Sequence, residues 1–209
     1  SRTQPEIIAL GTSRAMQFRA PFFKDTTFYT TGGLGHSIYG MEDVFDRISS
    51  DYVPKIVIFA VDWLWLNPNI QPNESLLIFK ENNTISNRMY LYKRLYQELW
   101  ANENVRAQLI HPEIAARDLI GNRPTIGLAA GAKSDGFRPD GSFQYGWFIL
   151  HPQSTEERFD QAHRGIQNGT IGFERSDHVD EKRFLKLAEL ITKMRERGAH
   201  VIVLLPPFP

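Results

Sequence analysis

Residues 7–18 read IIALGTSRAMQF, so a small hydroxyl, Ser13, lies two positions past the glycine that closes an apolar run. A serine is a weak nucleophile. It attacks an acyl carbon when a histidine takes its proton and hydrogen-bond donors hold the oxyanion that forms. Two readings of Ser13 stand open. It caps a helix over residues 14–19, or it is an acyl-accepting nucleophile at the edge of a sheet.

Other groups could complete that chemistry. The second apolar run opens into TTGGLGHS, where a glycine lets the backbone approach a ligand and donate an N–H, and where His36 stands beside the glycines. The third run ends in Asp62, Trp63, Trp65 and Asn67. The tryptophans read as packing residues, although aromatic surfaces at a rim also suit sugar rings. Arg14 reads as the partner of a buried carboxylate, or as a binder of an anionic substrate. His178 is the histidine best placed to act as base. Asp177 precedes it directly, and the two adjacent side chains are expected to point apart. Asp160 and His163, at helical spacing, read as an exposed pair. His111, His151 and His200 have no partner pattern, and no HExxH-like spacing suggests a metal. No cofactor is expected.

These residues need a scaffold. Short β-rich runs occur at 6–10, 26–29, 55–61 and 199–205, and helical periodicity is clearest at 38–48, 86–100, 154–166 and 180–197. The runs IVIFAV and HVIVLL are apolar at nearly every position, as for strands buried on both faces of a parallel sheet. In the last helix Phe184, Leu187, Ala188, Ile191 and Met194 form the expected core stripe, with Asp177 and Asp180 at its start and Gly198 as its stop. The order indicates an α/β fold, a three-layer α/β/α sandwich with a mainly parallel sheet. Residues 103–150 interrupt it as an insertion, with a β-hairpin expected about Pro139-Asp140-Gly141. Ligands bind outside the carboxyl ends of parallel strands, so Ser13, the glycine loop, Asp62 and the Asp177-His178 segment share one rim.

Composition narrows the classes. The chain has 209 residues, 42% hydrophobic and 23% charged, with 24 basic and 24 acidic residues. A net charge of zero supplies no field toward nucleic acid. Without cysteine, disulfides, thiol catalysis and Cys-bound zinc are excluded. GGLG does not match G-x-G-x-x-G, which argues against a dinucleotide fold. One domain over 1–209 is expected, with both ends reading as cut.

The block GTSR resembles the SGNH (GDSL-type) hydrolase superfamily, in its extracytoplasmic branch akin to alginate O-acetyltransferase-like and teichoic-acid D-alanyl-transfer proteins. The resemblance covers residues 6–68 and the final helix and strand. It implies an SGNH/flavodoxin-like fold with Ser13 as nucleophile and Gly35 at the oxyanion-hole glycine; Arg14 and His36, from their place beside these residues, are further candidates to touch substrate. Asp62 falls where the superfamily has an oxyanion asparagine, and an ionised carboxylate there repels an oxyanion. The Asp-x-x-His block of the superfamily follows the last strand and is not within these residues; Asp160-Gln-Ala-His163 has its letters but precedes that strand. The implied activity is an esterase or O-acyl(acetyl)transferase. Its partners would be a small acyl donor or acylated glycan on a bacterial cell envelope, with a membrane tether outside the given chain. The rival expectation is a non-catalytic SGNH-like domain that binds glycan or a protein.

Overall fold

The computed structural model describes residues 4–71, 135–146, 153–170 and 172–206, with isolated helical positions between 89 and 110. Most of the expected helix at 86–100 and much of the insertion lie outside the described residues, as do His111 and His151, while positions 89, 92, 93, 96, 97 and 100 are helical. By its contacts the chain divides into two compact units. One comprises residues 1–78, 140–142 and 153–209, and the other residues 79–139 and 143–152.

The first unit is built on four parallel strands: β1 (Ile7–Gly11), β2 (Phe28–Thr30), β3 (Ile56–Ala60) and β6 (His200–Leu204). Their order is β2-β1-β3-β6. β1 and β3, with neighbours on both sides, take the apolar runs IIAL and IVIFA and bury almost all of them. Side chains alternate between faces. Ile7, Ala9, Phe28 and Ile58 form one cluster, packed by Phe18, Ala20 and Phe23. By the same alternation Ile8, Leu10, Val57 and Phe59 turn to the other face, where all are buried. HVIVLL departs from expectation. β6 lies at the edge of the sheet, and of its five residues only Val201 is buried, with Ile202 46% exposed.

α1 (Ile38–Ser49) links β2 to β3. Ser37 caps it by accepting the Gly40 N–H at 3.2 Å, and Ile38, Met41, Val44 and Phe45 form its buried stripe. α2 spans Gln153–Asn168. α3 (Glu181–Glu196) feeds β6; Asp180 caps it and Gly198 ends it at φ +99°. The buried stripe of α3 is Leu187, Leu190 and Met194 rather than the expected set. Phe184 is 55% exposed because it lies in the first turn, and Ala188 is exposed too. α1 and α3 are joined by a charged network: Lys186 to Glu42 (2.8 Å), and Lys193 to Glu42 (3.1 Å) and Asp46 (2.7 Å).

In the second unit β4 (Asp135–Phe137) and β5 (Phe143–Tyr145) pair antiparallel, as the Pro-Asp-Gly signal predicts, with Phe137 edge-on to Phe143. Asp140–Ser142 counts with the first unit. There the Asp140 carbonyl accepts the Thr30 N–H at 2.8 Å and its carboxylate accepts the Ala20 N–H at 2.7 Å. These bonds occupy the outer edge of β2.

Candidate active site

The chain leaves β1 for β2 on one side and then returns to β3 on the other, so strand order reverses between β1 and β3. Loops diverge at such a point and leave a crevice at the carboxyl ends of the two strands. Thr12, Ser13 and Arg14 follow β1, and Asp62 follows β3. A cavity of about 340 Å³ opens there. Its walls include Thr12, Ser13, Arg14, His36, Tyr39 and Asp62, with Ile38, Leu64, Trp65 and Ile70 as the apolar part.

The helix over 14–19 does not form. A single 3-10 turn, Ala15–Gln17, takes its place, with Arg14 in the cap position and no side-chain cap bond. Two constraints explain this. Pro21 has no N–H to extend a helix, and the loop after β2 is pressed onto this turn, a Cβ at Gly32 meeting the Ala15–Met16 backbone. Ser13 is therefore not a helix cap. Its hydroxyl is exposed and makes no hydrogen bond among the described residues.

Asp62 is 4% exposed and fully engaged. One oxygen accepts the Thr12 hydroxyl at 3.1 Å; the other accepts Arg14 Nη1 and the Leu64 N–H, each at 3.3 Å. The Arg14 pairing expected from sequence is thus with Asp62. The residues on either side of Ser13 are both tied to the loop after β3, which fixes the serine between them. Arg183, also at the cavity, is spent on structure: it donates to the Asn67 and Ile70 carbonyls at 2.7 and 2.9 Å and pairs with Asp180 at 3.3 Å.

Gly35 is buried but does not line the cavity; a Cβ there would overlap the start of α1 at Gly40–Met41. His36, the next residue, is exposed and does line it. The Gly32 and Gly33 N–H groups are already used, on Thr30 Oγ1 (3.1 Å) and the Gly11 carbonyl (3.0 Å).

His178 lies elsewhere. It lines a second cavity with Trp63, Leu66, Asn67 and Leu205, while Leu64 and Trp65 of the same 3-10 turn (Trp63–Leu66) line the first. Ser13 and His178 thus lie at cavities on different faces of this turn. The expectation that Asp177 and His178 point apart is also corrected. His178 Nδ1 and Asp177 Oδ1 are 2.6 Å apart, because an irregular segment does not alternate side chains as a strand does. The imidazole holds the Asp177 carboxyl below the usual carboxylate range. Asp160 and His163 are exposed on α2, as expected. Asn67 is buried, its amide donating to the Glu174 carbonyl at 2.5 Å, so it is no free donor for Ser13.

No protein-family model, curated protein or solved structure matches the chain.

Among the described residues, no group of three or more His, Cys, Asp or Glu could hold a metal. None of the helices there is long and apolar enough to cross a membrane. Tyr39 and Gln71 line the first cavity and were not singled out from sequence. Tyr39 is the second residue of an amphipathic helix, and Gln71 follows a loop with no motif; neither spacing signals a site.

Proposed function

We propose that the protein is a serine-dependent acyl-ester hydrolase or O-acyl(acetyl)transferase, with Ser13 as the nucleophile. One observation carries this reading: an exposed Ser13 hydroxyl, unbonded among the described residues, lines a cavity at the strand-order reversal, between two residues anchored on Asp62. Attack forms a bond from Ser13 Oγ to the acyl carbon. The Ser13 N–H, which makes no bond among the described residues, is a backbone donor available for the resulting oxyanion. Release of the alcohol leaves an acyl-serine, which water or a sugar hydroxyl then cleaves.

The finer parts of the reading rest on the sequence resemblance. They are a three-layer SGNH-type sandwich, an acetylated carbohydrate or cell-envelope polymer as substrate, and an extracytoplasmic bacterial location. The β2-β1-β3-β6 parallel order supports the first of these.

A second reading has its own support. Asp62 holds a carboxylate where the resemblance calls for an oxyanion donor, which favours a non-catalytic domain that binds glycan or a protein. A serine-directed fluorophosphonate separates the two. The first reading expects an adduct on Ser13, located by mass spectrometry, that is lost in Ser13→Ala and kept in Ser37→Ala. An unlabelled Ser13, with glycan binding that survives Ser13→Ala, supports the second.

A further inference from the structure

We propose that Tyr39 is the sugar-contacting wall of the Ser13 cavity, its ring taking the alcohol half of an acylated carbohydrate. The inference rests on the reading of Ser13 as nucleophile and names a residue that selects the substrate.

The cavity is polarised. Ile38 and Trp65 in its wall are buried, whereas Ser13, His36, Tyr39 and Gln71 are exposed. A polymer cannot enter a cavity of about 340 Å³ whole, so the small acyl group is the part that goes in. The alcohol half stays on the exposed side. Groups exposed there meet the sugar.

Tyr39 is the aromatic one among them. α1 buries Ile38, Met41, Val44 and Phe45, and position 39 falls off that stripe, so the core does not take its ring. The side chain is 42% exposed and has no hydrogen bond or ring contact among the described residues. Its backbone is fixed nevertheless, because Ser37 caps the same helical turn through the Gly40 N–H. Such a ring presents an apolar face to the cavity, which the imidazole of His36 and the amide of Gln71 also line. A pyranose suits that combination: its C–H face packs on an aromatic ring, and its hydroxyls donate to and accept from the polar groups. Arg14 and Arg183, the cations lining the cavity among the described residues, are paired with Asp62 and Asp180, so no unmatched charge there favours an ionic alcohol instead.

The test measures acetate release by the full chain from two neutral esters, ethyl acetate and a methyl glucoside acetylated on its primary hydroxyl. They share the acyl group and differ by the sugar ring, so the ratio of their kcat/KM values reports contact with that ring. Wild type should favour the glucoside. Tyr39→Ala should cut the preference about tenfold, chiefly through KM, as for the loss of one aromatic contact. Tyr39→Phe keeps the ring and should keep the preference. A merely structural tyrosine would slow both esters together and leave the ratio unmoved. Three results overturn the proposal while leaving Ser13 as nucleophile: a wild type that labels with fluorophosphonate but shows no preference, a Tyr39→Ala variant that keeps the preference, and a Tyr39→Phe variant that loses it as fully as Tyr39→Ala. A wild type in which Ser13 takes no fluorophosphonate overturns the nucleophile reading, and the proposal with it.

Discussion

Asp62 accepts three hydrogen bonds from three positions of the chain, so its removal strands more than one partner. Asp62→Ala leaves Arg14 without its carboxylate and the Leu64 N–H without a cap; a loss of about 3 kcal/mol is expected from a urea titration. Asp62→Asn keeps one oxygen for Arg14 and the Leu64 N–H, and its amide can donate to the Thr12 hydroxyl oxygen instead, so it should cost about half as much. Equal losses would show that charge, not hydrogen bonding, holds the loop. At this scale sequence reasoning reached the residue types but not their partners. That Arg14 pairs with a carboxylate was legible, because a guanidinium near a core needs one. That the carboxylate is Asp62 depends on β1 and β3 being neighbours, which no local pattern encodes. His178 and Ser13, placed on one rim from sequence, line different cavities, since spacing does not reveal the path of the Trp63–Leu66 turn whose residues line both.

The elements show where glycine and charge matter. Gly141 has φ +79°, and a Cβ there would overlap the Thr30 carbonyl and touch the Tyr29 ring, whereas Gly198 has φ +99° with open space around it. Gly198→Ala should therefore cost about 1 kcal/mol, for conformation alone. Gly141→Ala should cost more, about 2–3 kcal/mol, since it also loosens the turn that covers β2. Chemical denaturation of the two variants side by side checks the order. Between α1 and α3, the Lys186 hydrogen bond, followed by that of Lys193, holds the Glu42 carboxyl below its ordinary value of 4.5 against the effect of burial. Hydrogen bonds to Glu42 and to Asp46 raise Lys186 and Lys193, respectively, above 10.5. The carboxylate's contribution to stability is thus present above pH 4.5 and fades as pH falls through its lowered folded value. The lysines' contribution is present below pH 10.5 and fades as pH rises through their raised values. These side chains are partly solvated, so Lys193→Ala should cost only about 1 kcal/mol near neutral pH, and less below the Glu42 transition. Urea midpoints across the acid range test that convergence. The strands and helices were read well from sequence because period and caps are local. The α3 stripe was misjudged at Phe184 and Ala188, since periodicity gives a helix's apolar face but not how far along it the core extends.

At the scale of the whole molecule, the sheet is covered unequally at its two edges. β2 is closed by Asp140, while β6 leaves Ile202, Val203 and Leu204 exposed, with Leu205 beyond them. Among the described residues no strand pairs with the outer edge of β6, and an apolar edge strand of this kind is a template for pairing with another copy. Concentration-dependent association is expected, and Ile202→Lys should reduce it in sedimentation velocity; unchanged sedimentation would show that this edge does not mediate contact. HVIVLL looked from sequence like a central strand because an apolar run reports what a strand can bury, not which neighbours it has.

The pairing of Arg14 with Asp62 and of Arg183 with Asp180 has one more consequence, for kinetics. Among the described residues, each positive charge lining the Ser13 cavity is matched by a negative one within 3.3 Å, so these groups cast little field into solvent. Long-range steering of charged ligands needs an unbalanced field and fades as salt screens it. If Ser13 is the nucleophile proposed above, an ester reaching it should thus arrive by unguided diffusion. Its second-order rate constant should be nearly the same at low and high ionic strength, for neutral and anionic esters alike.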